Sequence, residues 1–155
     1  MTEPTIRRAR WDEAEALTRL AMLSKQSNGY DATFMAACAE ELRVTPALID
    51  AHAYWVAEDE GLVGLVSLRI DADGEDGEVS AFFIHPEWQG RGIGRRLWAE
   101  VEQAARDKGL AALHLEADPA AEPFYRRLGF ETVGAVPSGS IPGRALPLMR
   151  VALGT

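Results

Sequence analysis

Three glycines fall within five positions of Gln89-Gly90-Arg91-Gly92-Ile93-Gly94-Arg95-Arg96, and the same stretch carries three arginines and no acid. Glycine lets the backbone turn sharply and leaves open space above its amide, so several N–H groups and the positive end of a following helix can converge on an anion. A diphosphate is the natural ligand for such a cradle. The plainer reading, a tight strand-to-helix turn, is equally compatible with the glycines taken alone. Two common phosphate loops do not fit. A P-loop requires Lys and then Ser or Thr after its last glycine, whereas Gly94 is followed by Arg95-Arg96. The dinucleotide fingerprint requires Gly or Ala three places after its second glycine, where Leu97 stands, and the strands before it read as antiparallel.

Other side chains suggest less. His52, His85 and His114 are far apart and join no Cys or His cluster, so no metal site is expected. Cys38 is the single cysteine, which excludes an internal disulfide framework, and it falls on the apolar face of a helical run. Trp11, Trp55 and Trp88 are scattered in the manner of packing residues, although an acceptor pocket lined by them is an alternative.

The elements that must position the loop can be read from periodicity. Thr5 to Ala9 is a short strand, and Asp12 caps a helix with Ala16, Leu17, Leu20, Ala21 and Leu23 at helical spacing, ended by Asn28-Gly29. A second helical run starts at Asp31, and Thr45-Pro46 caps a short helix through His52. Tyr54–Ala57, Leu62–Ile70 and Val79–Ile84 read as an antiparallel meander with acidic, glycine-bearing turns. Ile93, Leu97, Val101 and Ala104 then line a helix ending at Lys108-Gly109, Leu110 to Leu115 is a strand, and Asp118-Pro119 caps a helix stopped by Gly129. Phe130 to Val136 and Ala145 to Leu153 are predicted strands around a loop rich in Pro, Gly and Ser.

The chain has 155 residues, which predicts one domain over 1–155 with room for a working core. Sixteen basic against 24 acidic residues give a net charge of −8, a poor balance for holding nucleic acid by phosphate neutralisation. No apolar run reaches membrane-spanning length and the N-terminus lacks a signal-like core, so a cytoplasmic protein with no membrane partner is expected. The acidity is local: Glu58 to Glu78 holds eight acids and one base, Arg69. Solvated turns account for this stretch most simply. If it borders an acceptor site it favours a cationic acceptor.

Gln89, Gly92 and Gly94, placed after Ile84-His85-Pro86, follow the pattern Gln/Arg-x-x-Gly-x-Gly/Ala, and Ala121-Glu122-Pro123-Phe124-Tyr125 to Gly129-Phe130 follows A-x-x-F-Y-x-x-x-G-F. Two such motifs in this order and spacing resemble the GNAT (Gcn5-related N-acetyltransferase) superfamily, over Glu78 to Phe130. The resemblance implies an α/β fold with a mixed, mostly antiparallel central sheet flanked by helices, in the order β-α-α-β-β-β-α-β-α-β-β. It implies acetyl-CoA as co-substrate, lying where two parallel strands splay apart. Its diphosphate would meet the amides of Gln89, Gly90, Arg91, Gly92, Ile93, Gly94 and Arg95, and its pantetheine arm the main chain of Phe82, Phe83 and Ile84, one of whose amides would also face the reacting carbonyl oxygen.

By the same resemblance Tyr125 is the acid that protonates the departing thiolate, with a core tyrosine as the alternative. Glu78 is the candidate base. Strand alternation would put it on one face with Ser80, Phe82 and Ile84, while a solvated turn residue is the plainer reading, and His85 or a water relay are other routes. Many members carry an Asn before the F-Y segment, where this chain has Asp118, read here as a helix N-cap. Ser24 to Tyr30 is a candidate acceptor loop by analogy. The expected activity is direct transfer of an acetyl group to a primary amine on a small molecule or peptide. A homodimer is compatible with this reading, and a non-catalytic acyl-CoA sensor or a partner-binding domain are its rivals.

Overall fold

Residues 3–154 are described by the structure, a computed structural model of the chain. Seven strands, β1 (Thr5–Arg8), β2 (Ala53–Glu58), β3 (Leu62–Ile70), β4 (Asp76–Ile84), β5 (Ala112–Glu116), β6 (Glu131–Pro137) and β7 (Ala145–Ala152), form one sheet in the order β1-β2-β3-β4-β5-β7-β6. Among the described residues five α-helices accompany it: α1 (Ala14–Gln26), α2 (Ala32–Leu42), α3 (Pro46–Ala51), α4 (Ile93–Asp107) and α5 (Glu122–Arg127). Every strand pair is antiparallel except β4–β5. This is the mostly antiparallel α/β architecture that the sequence predicts, with the short helix after Thr45-Pro46 also present.

Local chemistry explains several boundaries. Asp31 Oδ1 accepts from the Phe34 N–H at 2.9 Å and Thr45 Oγ1 from the Leu48 N–H at 3.2 Å, so α2 and α3 begin on side-chain caps. In β2, Trp55 and Ala57 face one core while Tyr54 and Val56 face the other, the period-two pattern of a strand buried on both sides. One core lies against α4, around Leu97, Val101 and Ala105, and the other against α1, around Leu17 and Leu20. Helices on both faces thus fix the height and tilt of the sheet's middle strands.

The strand bearing Glu78 differs from expectation in two ways. It begins at Asp76 rather than Val79, so Glu78 lies inside β4. The register with β3 also slips: Ser67 pairs with Ala81 and Leu68 with Val79, leaving Ser80 as an extra residue. Such a bulge reverses the alternation beyond it. Val79, Phe82 and Ile84 accordingly face the α4 side, while Ala81 and Phe83 face the α1 side.

Candidate active site

The parallel pairing of β4 with β5 covers only Asp76↔Ala112, Gly77↔Leu113 and Glu78↔His114. Past Glu78 the two strands separate, and among the described residues no strand lies beside the edge of β4 from Val79 to Ile84 on that side. The orientation of the free edge follows from the ladder with β3. The His85 N–H donates to the Val63 carbonyl at 2.8 Å. Alternate residues of an antiparallel strand turn their N–H and C=O the same way, so Phe83 and Ala81 bond to β3 and Phe82 and Ile84 present theirs to the opening. A cleft of about 510 Å³ lies there, walled by Phe82, Ile84, Trp88, Phe124 and Tyr125 and by the glycine loop. Phe83 belongs to neither the cleft wall nor the free main-chain edge: its side chain packs on the α1 face.

At one end of the cleft stands the N-terminus of α4. Gly90 and Gly92 adopt φ of +76° and +84°, left-handed conformations in which a side chain would be strained. Gly92 is the N-cap and offers no side chain to the helix, so the first N–H groups of α4 lack the partner that Ser, Thr or Asp would provide. The first turn contains no acid and does contain Arg95 and Arg96. A helix that served only as scaffold would gain stability from the opposite charge there. Gly94 has a different role. A Cβ at this position would stand 2.8 Å from the ring of Phe124, so its absence lets α4 approach α5. Gln89, Gly90, Gly92, Ile93, Gly94 and Arg95 all line the cleft, while Arg91 lies over the Trp88 ring at 4.7 Å. The donors, the charge and the free strand edge suit an anionic ligand with an amide-bearing arm.

Tyr125, on α5, is 8% exposed and borders the same cleft. Its ring meets Phe82, Phe124 and Phe130 edge-on, with centroids 6.0, 5.3 and 5.8 Å away. Burial, with a smaller push from the charge of Asp118, drives the phenol well above the ordinary tyrosine range. It is therefore held protonated at every physiological pH, the state a proton donor requires.

Glu78 lies elsewhere, and here the alternation argument is corrected. Because Ser80 is bulged, Glu78 is on the opposite sheet face from Phe82 and Ile84, beside the last β4–β5 pair. Its carboxylate is 3.3 Å from the Arg69 guanidinium, and it borders a hollow of about 230 Å³ with Ser80, Ala81, Phe83, His52 and Arg43. His114, across the pair from Glu78, has Nε2 2.8 Å from Asp71 Oδ2. His85 accepts from the Glu87 N–H at 3.1 Å and caps the turn before the loop. Of the tryptophans, only Trp88 lines the cleft; Trp55 is buried in the core and Trp11 is 67% exposed. Cys38 is buried, as expected of a core residue.

Asp118 is the residue whose role exceeds its sequence reading. It caps the turn before α5, accepting from the Ala120 N–H at 2.9 Å. It also holds Lys25 Nζ at 3.0 Å, accepts from the Tyr30 hydroxyl at 2.9 Å, and lies 3.5 Å from the Arg144 guanidinium. Burial by itself would raise its carboxyl, but the Ala120 N–H, Lys25 and Tyr30 outweigh it and hold the group below the ordinary aspartate range. Within the chain only Pro119-Ala120 after Asp118 announces a cap; partners 88 and 93 residues away leave no local signal.

Comparison with known proteins places the chain in a family and a fold. The acetyltransferase (GNAT) domain profile matches residues 18–139. The IAA acetyltransferase of Azospirillum brasilense is 39% identical over 85 residues, covering 52% of this chain and 56% of that protein. The aminoglycoside N(6')-acetyltransferase type 1 of Stenotrophomonas maltophilia is 33% identical over 105 residues, 59% of this chain and 67% of that protein. The chain thus spans little more than half the length of the first of these relatives, and 29% of the mycothiol acetyltransferase of Thermobifida fusca. In fold it is similar to the PaiA N-acetyltransferase of Thermoplasma acidophilum, solved in complex with coenzyme A, with a TM-score of 0.80 at 20% identity over 97% of this chain and 99% of that one. With that profile covering well over half of its length, the chain belongs to the GNAT acetyltransferase family.

Proposed function

We propose that the protein transfers an acetyl group from acetyl-CoA directly to a primary amine. The observation that carries this reading is the continuous path from the uncapped, arginine-bearing start of α4, along the free edge of β4 at Phe82 and Ile84, to the buried hydroxyl of Tyr125. Acetyl-CoA supplies an activated acyl group as a thioester. The amides of Gly90 to Arg95 and the nearby arginines bind the diphosphate, and the outward N–H and C=O groups of Phe82 and Ile84 hold the amide-bearing arm as an added strand would. An outward amide of β4 also donates to the carbonyl oxygen as negative charge develops there. Tyr125, kept neutral by burial, keeps its proton on Oη until the thiolate leaves, then donates it to sulfur.

The acceptor must arrive as a neutral amine or lose a proton in the site, since only then does its nitrogen carry a free lone pair. Glu78 is our candidate to accept that proton, from the far face of the sheet at the apex where β4 and β5 part. Relatives named as aminoglycoside and mycothiol acetyltransferases support a small amine acceptor. Carboxylates Glu41 and Glu78 share the hollow on that face with the guanidiniums of Arg43 and Arg69, so local charge gives a cationic acceptor little advantage.

Thiol release from acetyl-CoA, followed across a panel of kanamycin, spermidine, tryptamine and a lysine-containing peptide, tests the reading. At least one amine should be turned over by the wild type, and Tyr125→Phe should lower that turnover by about 10²-fold, within the usual range for a positioned acid, with CoA affinity unchanged. CoA binding with no turnover on any amine would favour the sensor alternative.

A further inference from the structure

Asn28, on the loop between α1 and α2, lines the acyl cleft together with Ala120, Ala121, Phe124 and Tyr125. It is exposed and has no core packing to fix it. Its position is set instead by its neighbours in the chain. The Asn28 N–H donates to the Lys25 carbonyl at 3.1 Å, and Lys25 and Tyr30, on either side of Asn28, are both tied to Asp118. Gly29, between Asn28 and Tyr30, has φ of +98°, a sharp reversal that turns the chain from one anchor to the other.

The anchor is built to be stiff. Arg144 Nη2 donates to the Tyr30 hydroxyl at 2.6 Å and its guanidinium lies over the rings of Tyr30 and Phe34, 5.1 and 4.8 Å from their centroids. Those two rings stack 4.0 Å apart at 13°. The side chains of Lys25, Asp118 and Arg144 are only 12%, 12% and 17% exposed, so the charges interact with little water between them. Three segments distant in sequence, the end of α1 with its loop, the β5–α5 link and the start of β7, thus meet on one carboxylate.

We propose that Asn28 is a cofactor-contacting residue of the cleft, hydrogen-bonded through its carboxamide to an amide of the pantetheine arm, and that Asp118 positions it by clamping Lys25, Tyr30 and Arg144. A carboxamide offers both a donor and an acceptor, which matches an arm that carries amides itself. Asp118 touches none of the ligand in this assignment. This inference rests on the reading of the cleft as an acyl-CoA site.

Calorimetric titration of CoA into the wild type, Asn28→Ala, Tyr30→Phe, Asp118→Asn and the Asn28→Ala/Asp118→Asn double variant tests it. Asn28→Ala should raise Kd by about 3- to 10-fold, the loss of one neutral hydrogen bond. Tyr30→Phe and Asp118→Asn, which remove no cleft-lining group, should each raise Kd by a comparable factor. The double variant should bind no more weakly than Asn28→Ala alone, because a clamp has nothing left to position once the carboxamide is gone. Two results overturn the inference: wild-type affinity in Asn28→Ala, or an Asp118→Asn effect that persists undiminished in the Asn28→Ala background. Tyr30→Phe keeps the ring stack, so it carries the same test should Asp118→Asn fail to fold. A wild type that does not bind CoA would overturn the functional reading itself, a result distinct from both.

Discussion

At the start of α4, Arg91, Arg95 and Arg96 surround a glycine loop in which no carboxylate of the described residues neutralises them, whereas across the cleft Lys25 and Arg144 are both engaged by Asp118. The two regions use the same kinds of side chain for opposite ends. The helix start leaves its first amides without a capping side chain, and among the described residues its arginines meet only a ring and a backbone carbonyl, Arg91 on Trp88 and Arg95 on Arg127, a state that favours an incoming anion and contributes little to the fold. The Asp118 cluster satisfies its charges internally, removes them from water and joins distant segments, so it acts on stability and on the placement of its neighbours. Similar composition therefore suits an incoming anion in one place and a clamp in the other, and the difference is whether the fold supplies the counter-charge.

Charge reversal at the loop separates the two most sharply. Arg95→Glu puts an acid in the first turn of α4, where it complements the helix dipole, so urea unfolding should show unchanged stability or a gain of up to about 1 kcal/mol. CoA affinity in the same protein should fall by about 10²-fold, since a cation near the diphosphate becomes an anion. Parallel losses of stability and binding would erase the distinction between the regions.

Removing the counter-charge at the clamp should do the reverse. Asp118→Ala leaves two partly buried cations and an uncapped turn, and should lower unfolding free energy by about 2 kcal/mol. The effect depends on pH. The folded carboxyl of Asp118 lies below its unfolded value near 3.9, so the stability it contributes is complete above that value and is lost as pH falls through the folded one. The stability gap between wild type and Asp118→Ala should therefore narrow as pH drops from 5 towards 2. A gap that stays constant over that range would contradict the clamp's ionic character.

A smaller effect is expected at Gly94. The added methyl of Gly94→Ala meets the Phe124 ring, which is itself held edge-on by Phe82 at 5.3 Å. We expect about 1 kcal/mol of destabilisation from the crowded contact and a several-fold loss of CoA affinity as the ring shifts into the cleft. Thermal unfolding and calorimetry on the same sample measure both. Affinity that stays unchanged would make Gly94 a packing glycine with no bearing on the site.

The glycine loop and the helix after it were legible because their signal is local: glycine spacing, arginines without acids and an apolar stripe from Ile93 to Val101 appear within a dozen residues. The meander was legible for the same reason, whereas Tyr125 and the parallel pair flanking α4 came from the resemblance of the two motifs and not from spacing alone. The bulge at Ser80 was not, because β4 still alternates on paper and only its pairing with β3 reveals the extra residue that moves Glu78 to the other face. The partners of Asp118 were hidden because Lys25, Tyr30 and Arg144 reach it through the tertiary fold. Asn28 read as the end of a helix within Ser24 to Tyr30, a candidate acceptor loop by analogy, and nothing in its own spacing marked it as a residue lining the cleft itself.

The central claim is that the start of α4 holds the diphosphate of an acyl-CoA while the free edge of β4 holds its arm. Calorimetric comparison of CoA with pantetheine, which keeps the arm and lacks the nucleotide diphosphate, tests it most directly. The account predicts that CoA binds at least about 10²-fold more tightly than pantetheine, with an advantage that shrinks as salt is raised. Equal affinities for the two ligands, or no binding of CoA, would contradict it.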